Sequence, residues 1–176
     1  MFTIASYRFI VYHMPLLILC GLPCCGKTSV ARFLCDYFSN QGVTVHILSE
    51  GEQTFTQVFG SAVKDSLSKS AIYADSHRER RLRDHLRTET QRLLQATDSS
   101  SVSNNSASCN TLIILDGLNY VSGFRYELYC LGRAVQQTHC VVLCDVDINT
   151  ALEWNTQRPD SIVVLFVEHN FHSYTV

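Results

Sequence analysis

Residues 16–28 read Leu-Leu-Ile-Leu-Cys-Gly-Leu-Pro-Cys-Cys-Gly-Lys-Thr, an apolar strand that runs straight into the spacing Gly-x-x-x-x-Gly-Lys-Thr. A backbone that wraps around a chain of phosphates needs glycine where a side chain would block close approach, which Gly21 and Gly26 provide, and consecutive N–H groups aimed at the anion. Lys27 then brings a point charge to the outer phosphates, and Thr28 brings a hydroxyl for a Mg²⁺ ion. The helix expected to start near Gly26 adds the positive end of its dipole. The nucleotide-binding segment is therefore Gly21, Leu22, Pro23, Cys24, Cys25, Gly26, Lys27, Thr28 and Ser29. The alternative is a glycine-rich turn that matches by chance. Context weighs against it, because Ser29 to Ser39 carries Val30, Phe33, Leu34 and Phe38 at roughly helical spacing, so the motif has a strand before it and a helix after it.

With 176 residues, 46% apolar and 17% charged, the chain can bury one sizeable core and reads as one domain. A formal net charge of -2 excludes coating nucleic acid by bulk charge, so a polyanion partner has to meet a local basic patch. Of the eight cysteines, Cys20, Cys24, Cys25 and Cys144 fall in or beside expected strands and the phosphate loop, which suits reduced thiols better than a secreted disulfide framework. No Cys-x-x-Cys pair occurs, and Cys140 and Cys144 lie in one expected strand, so the spacing does not indicate zinc. The apolar N-terminus imitates a secretion signal, yet residues 16–20 are needed as the strand that feeds the loop. The Asn104-Asn105-Ser106 glycosylation pattern then stays unused. No apolar run approaches the length of a membrane span, so no membrane partner is expected.

Short apolar runs alternate with helical stretches, the pattern of an α/β fold with a parallel sheet and crossover helices. The expected strands are Leu16 to Cys20, Thr44 to Leu48, Thr111 to Leu115 and Cys140 to Cys144, all read as buried on both faces. The expected helices are Lys27 to Ser39, Arg78 to Gln95, Arg125 to Gln136 and Asn149 to Asn155. Residues 97–110, rich in Ser and Asn, read as a polar flexible loop.

Two further groups carry chemistry. Asp116 closes the apolar run Thr-Leu-Ile-Ile-Leu-Asp and is delivered to the carboxyl edge of the sheet, where it would join Thr28 in holding Mg²⁺; the alternative is a turn or cap carboxylate. The second is the segment Tyr73 to Arg87. Ser76-x-x-Glu79 reads as a capping box, with Asp75 just before the helix. Leu82, Leu86 and Leu93 make an apolar stripe, while Arg80, Arg83 and Arg87 share another face. That face is either a solvated surface paired with Glu79, Asp84 and Glu89 or a phosphate-reading one, to which Arg78 also belongs. Asp75 either orients an attacking water or hydroxyl or serves only as a capping carboxylate.

The stretches Cys20-Gly-Leu-Pro-Cys-Cys-Gly-Lys-Thr28, Tyr73-Ala-Asp-Ser76, Asp116-Gly-Leu-Asn-Tyr120, Gly123-Phe-Arg-Tyr-Glu-Leu-Tyr-Cys130 and Glu153-Trp-Asn155 with Arg158-Pro159 together resemble the killer-toxin-insensitivity family of Elongator-associated factors. The resemblance covers Met14 to Asp160. It implies a P-loop NTPase fold of the kinase-like kind, related to phosphoseryl-tRNA kinase, with ATP and Mg²⁺ as ligands and tRNA and Elongator subunits as partners. It also implies a role in wobble-uridine modification, while the reduced thiols point to a cytoplasmic or nuclear location. It places ATP on Gly21 to Thr28 and Mg²⁺ on Asp116, and it sets Asp75 in the segment where the related kinase holds a catalytic acid. The catalytic set is thus Lys27, Asp75 and Asp116. Arg125 is left between a phosphate contact and a pair with Glu127 or Asp116, and Tyr126 between core and ligand. Ser122 departs from the family's usual lysine. Residues 1–13 read as an extension and 161–176 as an atypical tail in place of the family's helical C-terminal domain, the pattern of a shortened isoform or an incomplete gene model. Function stays open among a regulatory ATPase, a kinase acting on an RNA-linked or small hydroxyl, and a non-catalytic nucleotide-binding module. No Asn-Lys-x-Asp guanine-reading motif is present, which favours ATP. Arg78, Arg80, Arg81 and Arg158 are the candidates for a catalytic arginine.

Overall fold

The computed structural model describes residues 15–60, 72–101 and 111–157, with the backbone alone for 97–101. The expected N-terminal extension, the 161–176 tail, Arg158 and residues 102–110 of the expected polar loop lie outside the described residues. In chain order the elements are β1 (Leu16–Cys20), α1 (Lys27–Ser39), β2 (Thr44–Ser49), α2 (Glu52–Phe59), α3 (Ser76–Ser101), β3 (Thr111–Asp116), α4 (Ser122–Ala134), β4 (His139–Leu143) and α5 (Ile148–Thr156).

The four strands pair in parallel in the order β2-β3-β1-β4. Alternation along the central strands divides the core in two. Leu16 and Ile18 of β1, with Ile113 and Leu115 of β3, face Leu82, Leu86, Leu93 and Leu94 of α3 and Phe124 and Leu128 of α4. Leu19, Leu112 and Ile114 face the opposite side, against Ala31 and Phe38 of α1. A two-faced sheet is the expected architecture, but only β1 and β3 are almost wholly buried, with Leu17 and Thr111 half-buried. The outer strands show water at Ile47, Val141 and Leu143, because each has a single sheet neighbour among the described residues.

Several expectations are corrected by packing. Phe33 is 68% exposed and Tyr126 66% exposed, so neither joins the core; α1 buries Ala31 and Phe38 instead, and α4 buries Phe124 and Leu128. Helix α2, bounded by Gly51 and Gly60, was not expected. It buries no residue fully, and Phe55, Val58 and Phe59 merely lean on the first core cluster. A glycine-bounded octet with two Thr, two Phe and one Val offers little intrinsic helix preference, so tertiary contact decides it. Those contacts include the Arg81 guanidinium, which lies 5.3 Å from the centre of the Phe59 ring and donates to Val58 O at 2.8 Å. Residues 97–101, expected in the polar loop, extend α3 by more than a turn, since adding residues to an existing helix costs far less than starting one.

Replacing Ile113, fully buried between the two central layers, with Ala should cost about 2–5 kcal/mol in urea denaturation, whereas Phe33→Ala should stay within about 0.5 kcal/mol.

Candidate functional site

Because the strands are parallel, the segments that follow β1, β2 and β3 emerge at one edge of the sheet. Register brings them together: Asp116 pairs with Leu19 of β1 and with Ser49 of β2. Between them opens a pocket of about 300 Å³ lined by Gly26, Lys27, Thr28, Ser29, Arg32, Ser49, Glu50, Tyr73, Asp116 and Leu118, among others.

The loop after β1 has the geometry that phosphate requires. Gly21 sits at φ 146°, and a Cβ there would stand 2.6 Å from Cys144 O and 2.8 Å from Cys25 Sγ. Gly26 at φ 87° is the residue before α1, and no side chain caps the helix's first turn, so its N–H groups remain for an anion. Lys27 is buried, its ammonium donating to Gly21 O at 3.0 Å and Leu22 O at 2.5 Å in the centre of the loop. Cys24 donates to Asn155 Oδ1 of α5 at 3.2 Å, tying the loop to the distant Glu-Trp-Asn stretch. Burial pushes the thiols of Cys20 and Cys144 upward in pKa. Every described cysteine is a free thiol.

The segment after β3 is braced from three sides. Asn119 donates to Leu19 O at 2.7 Å, and Arg125 donates to Asn119 O at 2.9 Å and Tyr120 O at 2.7 Å. Arg125 therefore acts as a loop brace, and its partner is neither Glu127 nor Asp116. Glu50 Oε2 accepts from Leu118 N at 3.1 Å and from the Tyr73 hydroxyl. A Cβ on Gly117 would lie 2.6 Å from Glu50 Oε1, so glycine is needed at 117 for this carboxylate to lie where it does.

Lys27, Thr28, Ser29 and Asp116 meet in the pocket as the sequence suggests, with Thr28 exposed and Asp116 buried. Asp75 is not among the residues lining it. Its carboxylate accepts from His77 N at 2.9 Å and pairs with Arg78 Nε at 3.2 Å, which makes it the N-terminal cap of α3. The capping-box reading is corrected accordingly: Glu79 turns inward, accepting from the Tyr120 hydroxyl at 2.6 Å and pairing with Arg83 at 2.5 Å. Arg83 thereby leaves the arginine face, on which Arg80 is exposed and Arg87 half-buried. Glu50, Tyr73 and Arg32 were missed. Glu50 follows an apolar strand just as Asp116 does, so the signal was present; Arg32, one turn after Thr28, carried no signal apart from helical spacing.

Comparison with known proteins fits this site. The family model described as chromatin associated protein KTI12 matches residues 14–165. The chain belongs to the KTI12 family. It is 38% identical over 146 residues to the KTI12 homolog of Danio rerio, a match covering 82% of this chain and 44% of that protein. Against the Homo sapiens homolog it is 37% identical over 131 residues, 74% of this chain and 30% of that protein. The chain thus spans less than half the length of these curated relatives. In fold it resembles Chaetomium thermophilum Kti12 solved with ADP-AlF3 (TM-score 0.58, 24% identity, 90% of this chain and 77% of that one). It also resembles Mycobacterium tuberculosis APS kinase solved with AMPPNP and APS (TM-score 0.52, 13% identity, 82% of this chain and 70% of that one). The architecture is that of P-loop kinases, and the matched span of residues 14–165 contains both loops just described.

Two predictions follow from these loops. Gly21→Ala should destabilise the chain more than Gly26→Ala in thermal melts, because both add backbone strain, worth about 1–3 kcal/mol, but only the first meets backbone atoms. Burial, then the neighbouring carboxylates Glu50 and Glu79, raise the pKa of the Tyr73 and Tyr120 phenols. The stability this contributes is intact below the unfolded value of about 10 and is lost as pH climbs above it, so Tyr73→Phe should flatten the alkaline fall in urea-derived stability.

Proposed function

We propose that this chain is a Mg-ATP-binding regulatory ATPase of the Elongator pathway, acting in tRNA wobble-uridine modification in the cytoplasm or nucleus. The observation that carries the proposal is the meeting of Lys27, Thr28 and Asp116 in one pocket beside an uncapped helix start, in a chain of the KTI12 family. The donor set suits ATP and Mg²⁺: the uncapped first-turn N–H groups of α1, a buried ammonium, and a hydroxyl and a carboxylate on facing elements. Lys27 would exchange loop carbonyls for phosphate oxygens, and the first-turn N–H groups of α1 would hold the anion in place. Thr28 and Asp116 would hold Mg²⁺, which supplies charge neutralisation on the phosphates. Phosphoryl transfer of this kind depends on positioning and electrostatics, and these loops are braced for both.

A kinase reading shares this machinery and differs in the acceptor. The fold likeness to APS kinase keeps it in view, and the fate of the γ phosphate separates the two. For RNA, Arg80 and Arg87 are the contacts the structure favours, since Arg83 is held by Glu79 and Arg78 by Asp75.

Lys27→Ala should lower Mg-ATP affinity at least about tenfold in a fluorescence titration, the scale of a lost charge-assisted contact, and unchanged affinity would overturn the proposal. Bulk tRNA should stimulate ATP hydrolysis by the wild-type chain. Arg80→Ala with Arg87→Ala should weaken tRNA binding and reduce its salt slope by about 1 per lost phosphate contact.

A further inference from the structure

Among the described arginines, Arg32 alone lines the nucleotide pocket, and the scheme above gives it no role. The other cation in the lining is Lys27, and the carboxylates are those of Asp116 and Glu50. Lys27 by itself leaves the carboxylates in excess before any phosphate arrives, whereas with Arg32 the four charges balance. A polyanion entering a cavity that already holds two carboxylates needs that second cation, because repulsion between like charges grows where water is partly excluded.

Position on α1 decides which part of a nucleotide Arg32 meets. It stands four residues after Thr28, so the two share one face of the helix a turn apart. Long side chains on a helix lean toward its N-terminus, which carries the guanidinium back along that face toward Thr28 and the uncapped start of α1. In a phosphate loop of this spacing the backbone N–H groups cradle the inner phosphates, and the lysine and the hydroxyl serve the outer end. Arg32 approaches from that outer end, beside Ser49 and Gly51 at the end of β2.

Arg32 is also uncommitted. It is exposed and makes no hydrogen bond or ion pair among the described residues. By contrast, Arg78 is paired with Asp75, Arg83 with Glu79 and Arg92 with Glu89, and Arg125 is spent on loop carbonyls. Arg81 is held by Val58 O and the Phe59 ring. A guanidinium without an internal partner at the edge of a phosphate loop offers a planar fork that matches two oxygens of one phosphate.

We propose that Arg32 binds the terminal phosphate of ATP and so makes the pocket prefer ATP to ADP. This assignment rests on the Mg-ATP-binding reading and adds to it the residue that tells a triphosphate from a diphosphate.

The test titrates the 176-residue chain and its Arg32→Ala variant with Mg-ATP and with Mg-ADP, each carrying a fluorescent label on the ribose. The expected result is an ATP affinity lower by about tenfold, the scale of one charge-assisted contact, with ADP affinity held within about twofold. Arg32→Lys keeps the charge but loses the fork, and should recover part of the preference. An unchanged ratio of ATP to ADP affinity in Arg32→Ala would overturn the assignment. If both affinities fall together, Arg32 acts only on the general charge of the pocket; if both hold while tRNA affinity falls, it is an RNA contact. Thermal melts of Arg32→Ala should match wild type, since the side chain makes no internal bond. Should that variant fail to fold, Arg32→Gln, which drops the charge and keeps most of the length, is read by the same ratio. A wild-type chain that binds neither nucleotide would overturn the Mg-ATP reading itself, whereas a chain that binds both with a ratio independent of Arg32 overturns this assignment alone.

Discussion

The parallel pairing of β1 with β3 is the constraint on which the site depends. That register sets Leu19 beside Asp116, so the glycine-rich loop after β1 and the segment that follows Asp116 emerge from adjacent strands at one edge. It also buries most of both strands: Leu16, Ile18, Ile113 and Leu115 on one face, Leu19, Leu112 and Ile114 on the other. A slip of one residue would exchange the two core faces, so the hydrophobic pattern that stabilises the sheet also positions the chemistry. The helices on either face hold this pair and leave the outer strands half exposed.

Around that edge, buried polar groups take over from apolar packing. Asn119 and Arg125 bind backbone carbonyls of the segment after β3, Glu50 takes its Leu118 N–H, and Cys24 reaches Asn155 from the phosphate loop. Each bond joins residues far apart in sequence or crosses between elements, so the loops gain rigidity without regular structure of their own. Preorganisation of this kind is what the proposed phosphoryl transfer would demand, since such chemistry leaves little covalent work for a protein to perform.

The second polar cluster, Glu79 with Tyr120 and Arg83, joins the start of α3 to the same loop. It explains why the charged stretch from Arg78 to Arg92 divides its work. Some arginines pair within the molecule, with Asp75, Glu79 or Glu89, while Arg80 points outward. An arginine-rich helix is thus partly a tether for the nucleotide site and partly a surface, and helical spacing alone does not separate the two.

From the sequence alone came the α/β class, the four strands to within a residue, the phosphate loop and Asp116, because each is a local matter of apolar run, glycine spacing and strand end. The KTI12 family was legible for the same reason, its motifs being short and contiguous. Tertiary structure alone decided that Glu50 and Tyr73 share the pocket, that Asp75 is spent on capping, and that Arg83 and Arg125 are internal braces. These outcomes depend on which side chains meet across elements as much as 131 residues apart, as Cys24 and Asn155 do, and on burial that no single segment encodes. Helix α2 belongs with them, since its residues favour no helix until Arg81 and the core offer contacts that make one stable.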